Sequence, residues 1–258
     1  MADSDYTPTK FSDPDVTAKG ETRASVGWTG LKTLWLNTGT LCNIECTNCY
    51  IQSSPRNDRL VYLSRSDVRQ FLDEIDQPIE IGITGGEPFM CPDILHIMED
   101  VLSDGHSLLL LTNAMRPMMR PRIQQGLDRL AAHYGERMVL RVSLDSHDPA
   151  IHDAERGEGA FKEACKGLKW LGERAVQVAI AGRQALNEDD AEARAAYGAL
   201  AGALGLSIDP TNTKQLVLFP EMIARDDPPE ITTDCWGILN KSPDDIMCAN
   251  QRMVIRRK

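Results

Sequence analysis

The chain has 258 residues and a formal net charge of −10 at pH 7, long enough for one large α/β core and too acidic for a broad phosphate-binding face. Seven cysteines, odd in number and sparse for the length, exclude a disulfide scaffold. An N-terminus without a basic, then apolar, signal and a longest apolar run of only SLLLLT at 107–112 predict a soluble cytoplasmic protein without membrane attachment.

Residues 1–27 are rich in Asp, Thr, Ser, Pro and Lys, with no sustained apolar period, and read as a mobile arm. The first buried strand is LKTLWLN at 31–37, followed directly by a cysteine-bearing loop. From Ser64 a helix begins, capped by Ser64 or Ser66, with Val68, Phe71, Leu72 and Ile75 on one face. A second strand, IEIGITGGEP, follows Pro78, and a second helix is opened by Pro92 and closed by Gly105. SLLLLTNA forms the third strand, apolar enough to be buried on both faces.

Residues 119–133 carry Ile123, Leu127 and Leu130 as a helical stripe, and MVLRVSLDS from Met138 is the fourth strand. Residues 160–172 read as a helix, AVQVAIAG from Ala175 as the fifth strand, residues 188–205 as another helix and QLVLFPEM from Gln215 as the sixth strand. Strands alternating with helices imply parallel βαβ units, and six of them predict a partial TIM barrel, (β/α)6, over 28–220. Residues 221–258 form a C-terminal extension ending in RMVIRRK, which reads as the start of another strand and suggests a truncated or shortened chain. Its basic run, Arg252 to Lys258, reads as a solvated end.

In such barrels chemistry lies at the carboxyl ends of the strands, and each strand end here carries a distinctive group. The first leads into Cys42, Cys46 and Cys49, spaced C-x3-C-x2-C; the second into Gly85-Gly86-Glu87-Pro88; the third into Thr112-Asn113; the fourth into Ser143-Leu144-Asp145. Three thiols within eight residues are an unusual ligand number: structural zinc takes four protein ligands, whereas a [4Fe-4S] cluster held by three cysteines leaves one iron open. Taken alone, GGEP reads as a tight βα turn whose Glu begins a helix, and Asn113 as an Asx turn or helix cap.

The triplet, GGEP, TN, SLDS and RGEGAF, in that order from residue 31 to 183, resemble the radical S-adenosylmethionine (radical SAM) enzymes. The resemblance implies a [4Fe-4S] cluster on Cys42, Cys46 and Cys49, with SAM chelating the open iron through its amino and carboxylate groups. Electrons from a donor such as flavodoxin or ferredoxin then cleave SAM to a 5′-deoxyadenosyl radical, which abstracts hydrogen from a small metabolite or peptide substrate. Methyl transfer is a further outcome within the family, and nucleic acid is the least favoured substrate at this charge.

By the same resemblance Gly85, Gly86 and Glu87 meet the SAM ammonium, Ser143 and Asp145 (with Asn113) the ribose, and Arg156 of HDAERGEGAF the carboxylate, although an ordinary loop salt bridge suits Arg156 as well. IAGR at 180–183 occupies the position of a fifth-strand adenine contact. The sequence departs from the family where an aromatic residue commonly precedes the third cysteine: Asn48 stands there, and Tyr50 is the candidate for adenine packing. His147 and His152 fall on the loop after the fourth strand, with no catalytic residue singled out. Cys165 reads as a small buried hydrophobe, Cys91 as a loop thiol facing the active end, and Cys235 and Cys248 as possible ligands of an auxiliary cluster of the type found in SPASM or twitch extensions. The alternative from another class is a non-catalytic protein binding zinc or an iron–sulfur cluster, with Cys91 as the fourth zinc ligand.

Overall fold

A computed structural model describes residues 9–185, 188–221 and 227–258. Two units are distinguished within the chain: a larger one from Thr33 through the sixth strand, joined by Met253–Lys258, and a smaller one comprising the residues up to Lys32 and those leading to Arg252.

The larger unit is the expected α/β partial barrel, an open sheet in the order β6-β5-β4-β3-β2-β1-β7. Its strands are β1 (Thr33–Asn37), β2 (Glu80–Thr84), β3 (Ser107–Thr112), β4 (Met138–Ser143), β5 (Gln177–Gln184) and β6 (Leu216–Pro220). β1 to β6 pair in parallel throughout. The short β7 (Gln251–Val254), whose last two residues belong to this unit, follows β1 in the order. The connecting helices are α1 (Arg65–Leu72), α2 (Ile94–Ser103), α3 (Pro121–Tyr134), α4 (Pro149–Arg156), α5 (Ala160–Gly172) and α6 (Asp190–Ala203).

Register sorts the sheet into two faces. Leu34, Leu36, Ile81, Ile83, Leu108, Leu110, Leu140, Val142 and Ile180 share one face and are almost wholly shielded. This is the helix side: Tyr197 of α6 lies where a Cβ on Gly182 would stand, 2.4 Å from its hydroxyl, and that hydroxyl donates to the Leu144 carbonyl at 2.9 Å. The opposite face carries Trp35, Glu80, Leu111, Arg141, Ser143, Ala181, Arg183 and Val217, all half-buried, and forms the inside of the half-barrel. Period-2 alternation between a dry outer face and a partly open inner one is what strand geometry imposes on a curled, helix-wrapped sheet.

Ser64 caps α1 in a reciprocal box with Asp67, as its sequence predicts. Phe71, expected on the buried face, is 40% exposed. The helix ends at Leu72, so only Val68 and Leu72, four apart, turn inward. The segment expected as a loop after the fourth strand is instead α4, started by Asp148, whose carboxylate accepts from the Ala150 and Ile151 N–H groups, and by Pro149 in the first turn. Cys165 is half-buried rather than buried. The basic end is paired as well as solvated: Arg256 meets Asp67 at 2.7 Å and Lys258 meets Asp58.

In the smaller unit the N-terminal segment, expected as a mobile arm, is hydrogen-bonded from Lys10 onward to residues 227–250. The Glu230 carboxylate is its anchor, accepting from Phe11 N–H (2.8 Å), Ala18 N–H (2.7 Å) and Arg23 Nη2 (2.5 Å). These backbone donors, with Arg23, draw its pKa down to about 2. Arg252 stacks on Trp28, 3.7 Å from the ring centroid.

A candidate active site at the strand carboxyl ends

The cysteine loop is fixed to the second strand end by backbone contacts that leave no room for side chains. Gly86 N–H donates to the Gly39 carbonyl (2.8 Å) and Glu87 N–H to the Leu41 carbonyl (3.2 Å), while Thr38 closes on the Thr84 carbonyl through its amide and hydroxyl. A Cβ on Gly86 would stand 2.1 Å from the Leu41 oxygen. At Gly85, φ is +134° and a Cβ would meet Thr38 Oγ1 at 2.7 Å. Both glycines thus serve a close approach of backbone to backbone that sets where Cys42 begins.

Glu87 is 1% exposed. Its carboxylate accepts from Phe89 N–H (3.1 Å), Thr112 Oγ1 (2.9 Å) and Asn113 N–H (2.9 Å), binding the second strand end to the third. Burial raises its pKa to about 7 against the opposing pull of those donors. A carboxylate offers about four acceptor positions, so one remains. Asn113 forms the Asx turn, its Oδ1 accepting from Met115 N–H (3.0 Å), and in addition its Nδ2 donates to Asn43 Oδ1 (2.9 Å) and faces Cys42 Sγ at 3.9 Å, contacts its sequence did not announce.

All seven cysteines are free thiols. Cys42 is buried, which pushes its pKa up to about 12; burial likewise raises that of Cys46, opposed by the nearby Arg156 charge. Cys49 Sγ accepts from Ser53 N–H at 3.2 Å. Burial keeps Cys42 and Cys46 as thiols in the absence of a metal, so a bound cluster would have to draw off their protons itself, and three sulfur donors fit a cluster that keeps one non-protein position. Among the described residues no three His, Cys, Asp or Glu side chains converge on a point as a single ion requires. Cys91 turns away, donating to the Leu63 carbonyl at 3.4 Å. In the smaller unit, Cys235 Sγ accepts from Thr232 N–H at 3.4 Å, while Cys248 is exposed.

The fourth strand end holds an ion-pair network. Asp145 receives Arg156 through Nε (2.7 Å) and Nη2 (3.0 Å), and Arg183 at 3.4 Å. Burial alone would raise the Asp145 pKa, but Arg156 and Arg183 outweigh it and hold it below the usual carboxylate range. Ser143, at the end of β4, lies half-buried on the inner face. Tyr50 is 75% exposed, with its hydroxyl 3.4 Å from Thr84 Oγ1.

The unexpected α4 supplies residues that sequence reasoning missed. Thr47 N–H donates to the Glu155 carbonyl (2.9 Å) and Asn48 Nδ2 to Glu155 Oε2 (2.8 Å), so the helix grips the cysteine loop directly; Arg183 Nη2 reaches the Asn48 carbonyl at 3.4 Å. The Asp148-Pro149 pair was the available signal for that helix. One turn before Arg156, His152 is fully buried against Phe161, with neither ring nitrogen hydrogen-bonded. His147 sits edge-on to Tyr197, 3.9 Å from Glu188.

Residues 36–195 match the family model described as the radical SAM superfamily. The antilisterial bacteriocin subtilosin biosynthesis protein AlbA of Bacillus subtilis is 32% identical over 146 residues, covering 54% of this chain and 30% of that protein. The mycofactocin maturase MftC of Mycolicibacterium smegmatis is 28% identical over 132 residues, covering 50% and 31%. The crystal structure of Streptococcus suis SuiB bound to S-adenosylmethionine superposes with a TM-score of 0.56 at 15% identity, over 87% of this chain and 50% of that one. This last likeness concerns the fold. The chain spans about a third of the length of these curated relatives.

Proposed function

Because this chain belongs to the radical SAM superfamily, whose members use a [4Fe-4S] cluster and S-adenosylmethionine, we propose that it is a SAM-cleaving enzyme with Cys42, Cys46 and Cys49 as cluster ligands. When bound, that cofactor pair supplies a 5′-deoxyadenosyl radical able to abstract hydrogen from a substrate. The observation that carries the reading is the triplet itself: three free thiols on one loop, held by the GGEP turn on one side and by Glu155 of α4 on the other.

The protein's part is binding and orientation. Backbone carbonyls at Gly85 and Gly86 and the remaining lone pair of Glu87 receive the SAM ammonium. Asn113, Ser143 and Asp145 serve the ribose, Arg156 the carboxylate, and Tyr50 with residues 180–183 the adenine. Because Asp145 and Arg156 already pair with one another, the orientation of both side chains is set before SAM arrives.

The names of two relatives, a bacteriocin biosynthesis protein and a mycofactocin maturase, together with a fold neighbour crystallised with a precursor peptide, favour a peptide substrate over a small metabolite. Flavodoxin or ferredoxin is the proposed electron donor, and a reducing, cytoplasmic setting suits seven unbridged thiols.

Oxygen-free reconstitution with iron and sulfide tests the proposal. The expected result is a [4Fe-4S] signal in absorption and electron paramagnetic resonance spectra, with 5′-deoxyadenosine formed on adding SAM and reductant. Cys46→Ala should lose both. A wild-type protein with no cluster signal would overturn the reading, and 5′-deoxyadenosine from Cys46→Ala would overturn the ligand assignment.

A further inference from the structure

Asn113, at the end of β3, is held through both its backbone and its side chain. Its N–H donates to Glu87 Oε2 (2.9 Å), and its Oδ1 accepts from Met115 N–H (3.0 Å). The turn between these bonds carries Ala114 at φ +54°, a left-handed conformation that a residue with a Cβ keeps only where its surroundings enforce it. Two contacts enforce it here. Ala114 N–H donates to Thr112 Oγ1 at 3.0 Å, and α5 lies so close to the Ala114 carbonyl that a Cβ on Gly167 would stand 1.9 Å from its oxygen.

This framework decides which way the Asn113 amide faces. The oxygen and nitrogen of an amide are told apart by their partners; because Oδ1 takes the Met115 N–H, Nδ2 is turned to the cysteine loop. One Nδ2 hydrogen goes to Asn43 Oδ1 at 2.9 Å, which leaves the second for Cys42 Sγ at 3.9 Å. Asn43 Oδ1 lies 3.9 Å from the same sulfur, but an oxygen receives from a thiol and has nothing to give a thiolate. The backbone N–H groups of Asn43 and Ile44 also bear on Cys42, and Asn113 adds a donor from outside the loop. Asn113 and Cys42 are 6% and 5% exposed, so water competes little for that bond.

We propose that Asn113 donates to the Cys42 sulfur of the bound cluster and so makes the cluster easier to reduce by one electron. A thiolate draws such a donor more strongly than a thiol does. The electron, supplied by the flavodoxin or ferredoxin proposed above, adds negative charge that the sulfur ligands share, so a donor aimed at one of them stabilises the reduced form more than the oxidised one and raises the potential. The second lone pair of Oδ1 stays open for the ribose. The proposal rests on the radical SAM reading for the presence of the cluster.

The test reconstitutes the full chain anaerobically and titrates it with dithionite and redox mediators, without SAM, reading the reduced cluster by electron paramagnetic resonance. Asn113→Ser keeps a hydroxyl that accepts from Met115 N–H in the same kind of turn, and is too short to reach Cys42. At the potential where half of the wild-type cluster is reduced, the ratio of reduced to oxidised cluster in Asn113→Ser should be lower by about tenfold, equivalent to about 59 mV for one electron. Asn43→Ala is the control for movement of the loop: it removes an oxygen near the same sulfur and leaves the Asn113 donor, so its ratio should hold or rise. A ratio within about twofold of wild type for Asn113→Ser, or an equal fall in Asn43→Ala, overturns the proposal.

If Asn113→Ser takes up no iron, Asn113→Asp provides the same reading, since it keeps the acceptor for Met115 and turns an oxygen toward Cys42; its ratio should fall further, and an unchanged or raised ratio overturns the proposal. Absence of iron from both variants would assign Asn113 to shaping the loop alone, against the proposal. Measuring 5′-deoxyadenosine on the same samples separates the two readings. A lowered ratio with no SAM cleavage by wild type defeats the enzyme assignment alone, and cleavage with an unchanged ratio defeats the Asn113 assignment alone.

Discussion

Replacing Gly86 by Ala is the sharpest probe of how the GGEP turn positions the cysteine loop. The added Cβ would fall 2.1 Å from the Leu41 oxygen, 2.6 Å from the Leu41 carbonyl carbon and 3.1 Å from Cys42 N. All three are backbone atoms, so no side-chain rotation relieves the clash, and the loop carrying Cys42 must withdraw by about 1 Å. Overpacking of this kind costs about 1–3 kcal/mol, and loss of the Glu87 N–H to Leu41 carbonyl bond adds about 1 kcal/mol. A destabilisation of about 2–4 kcal/mol is therefore expected, or a melting temperature lower by roughly 5–15 °C. Urea unfolding of the metal-free protein measures the first quantity. Iron content after reconstitution measures the displacement of Cys42 and should fall in parallel. Gly202→Ala provides the control: on an exposed position of α6 with nothing within 4 Å, it should gain up to about 1 kcal/mol from helix propensity. A Gly86→Ala protein within about 0.5 kcal/mol of wild type, with undiminished iron, would refute the argument.

Two further outcomes follow from the fourth strand end. Asp145→Asn leaves Arg156 buried without its counter-charge (side chains 8% and 13% exposed) and should cost about 3–5 kcal/mol. Adding Arg156→Gln should recover at least about 1 kcal/mol of that in a double-mutant cycle, whereas strictly additive losses would contradict the pairing. His152 has its pKa drawn down to about 4, chiefly by burial, from an ordinary 6.5. Protons then bind the unfolded chain more readily between those values, so the neutral ring's contribution is complete above pH 6.5 and declines as pH falls toward 4, by about 3 kcal/mol in total. Urea midpoints at pH 7 and pH 5 should differ less in His152→Phe than in wild type; equal pH slopes would count against an unpartnered imidazole.

Much of the barrel is visible in the sequence because its determinants are local. Ser64 with Asp67 announces α1, the span 160–172 is helical at both of its expected ends, and every strand carries its own β-branched or leucine-rich run. The terminal RMVIRRK gives β7 in the same way. What escaped is what depends on distant partners. Phe71 has the right spacing for the core, but its helix stops too soon. α4 buries only His152 and turns Ile151 to solvent, and it is held by its cap and by the loop it grips, so no buried apolar stripe announces it. Arg156 is legible as a cation suited to a carboxylate, but not as one already engaged by Asp145, eleven residues earlier.

The Glu230 anchor imposes an order of events on synthesis. Arg23 and its carboxylate partner are 207 residues apart in sequence. At ribosomal rates of roughly 5–20 residues per second, the N-terminal segment waits on the order of 10–40 s after its own synthesis before Glu230 is made. Throughout that interval β1 to β6 emerge in sequence and can pair with immediate neighbours, whereas Phe11, Ala18 and Arg23 have no carboxylate to meet. The smaller unit therefore cannot close until translation has passed β1 to β6, and only β7 and the residues after it remain to be added to the larger unit.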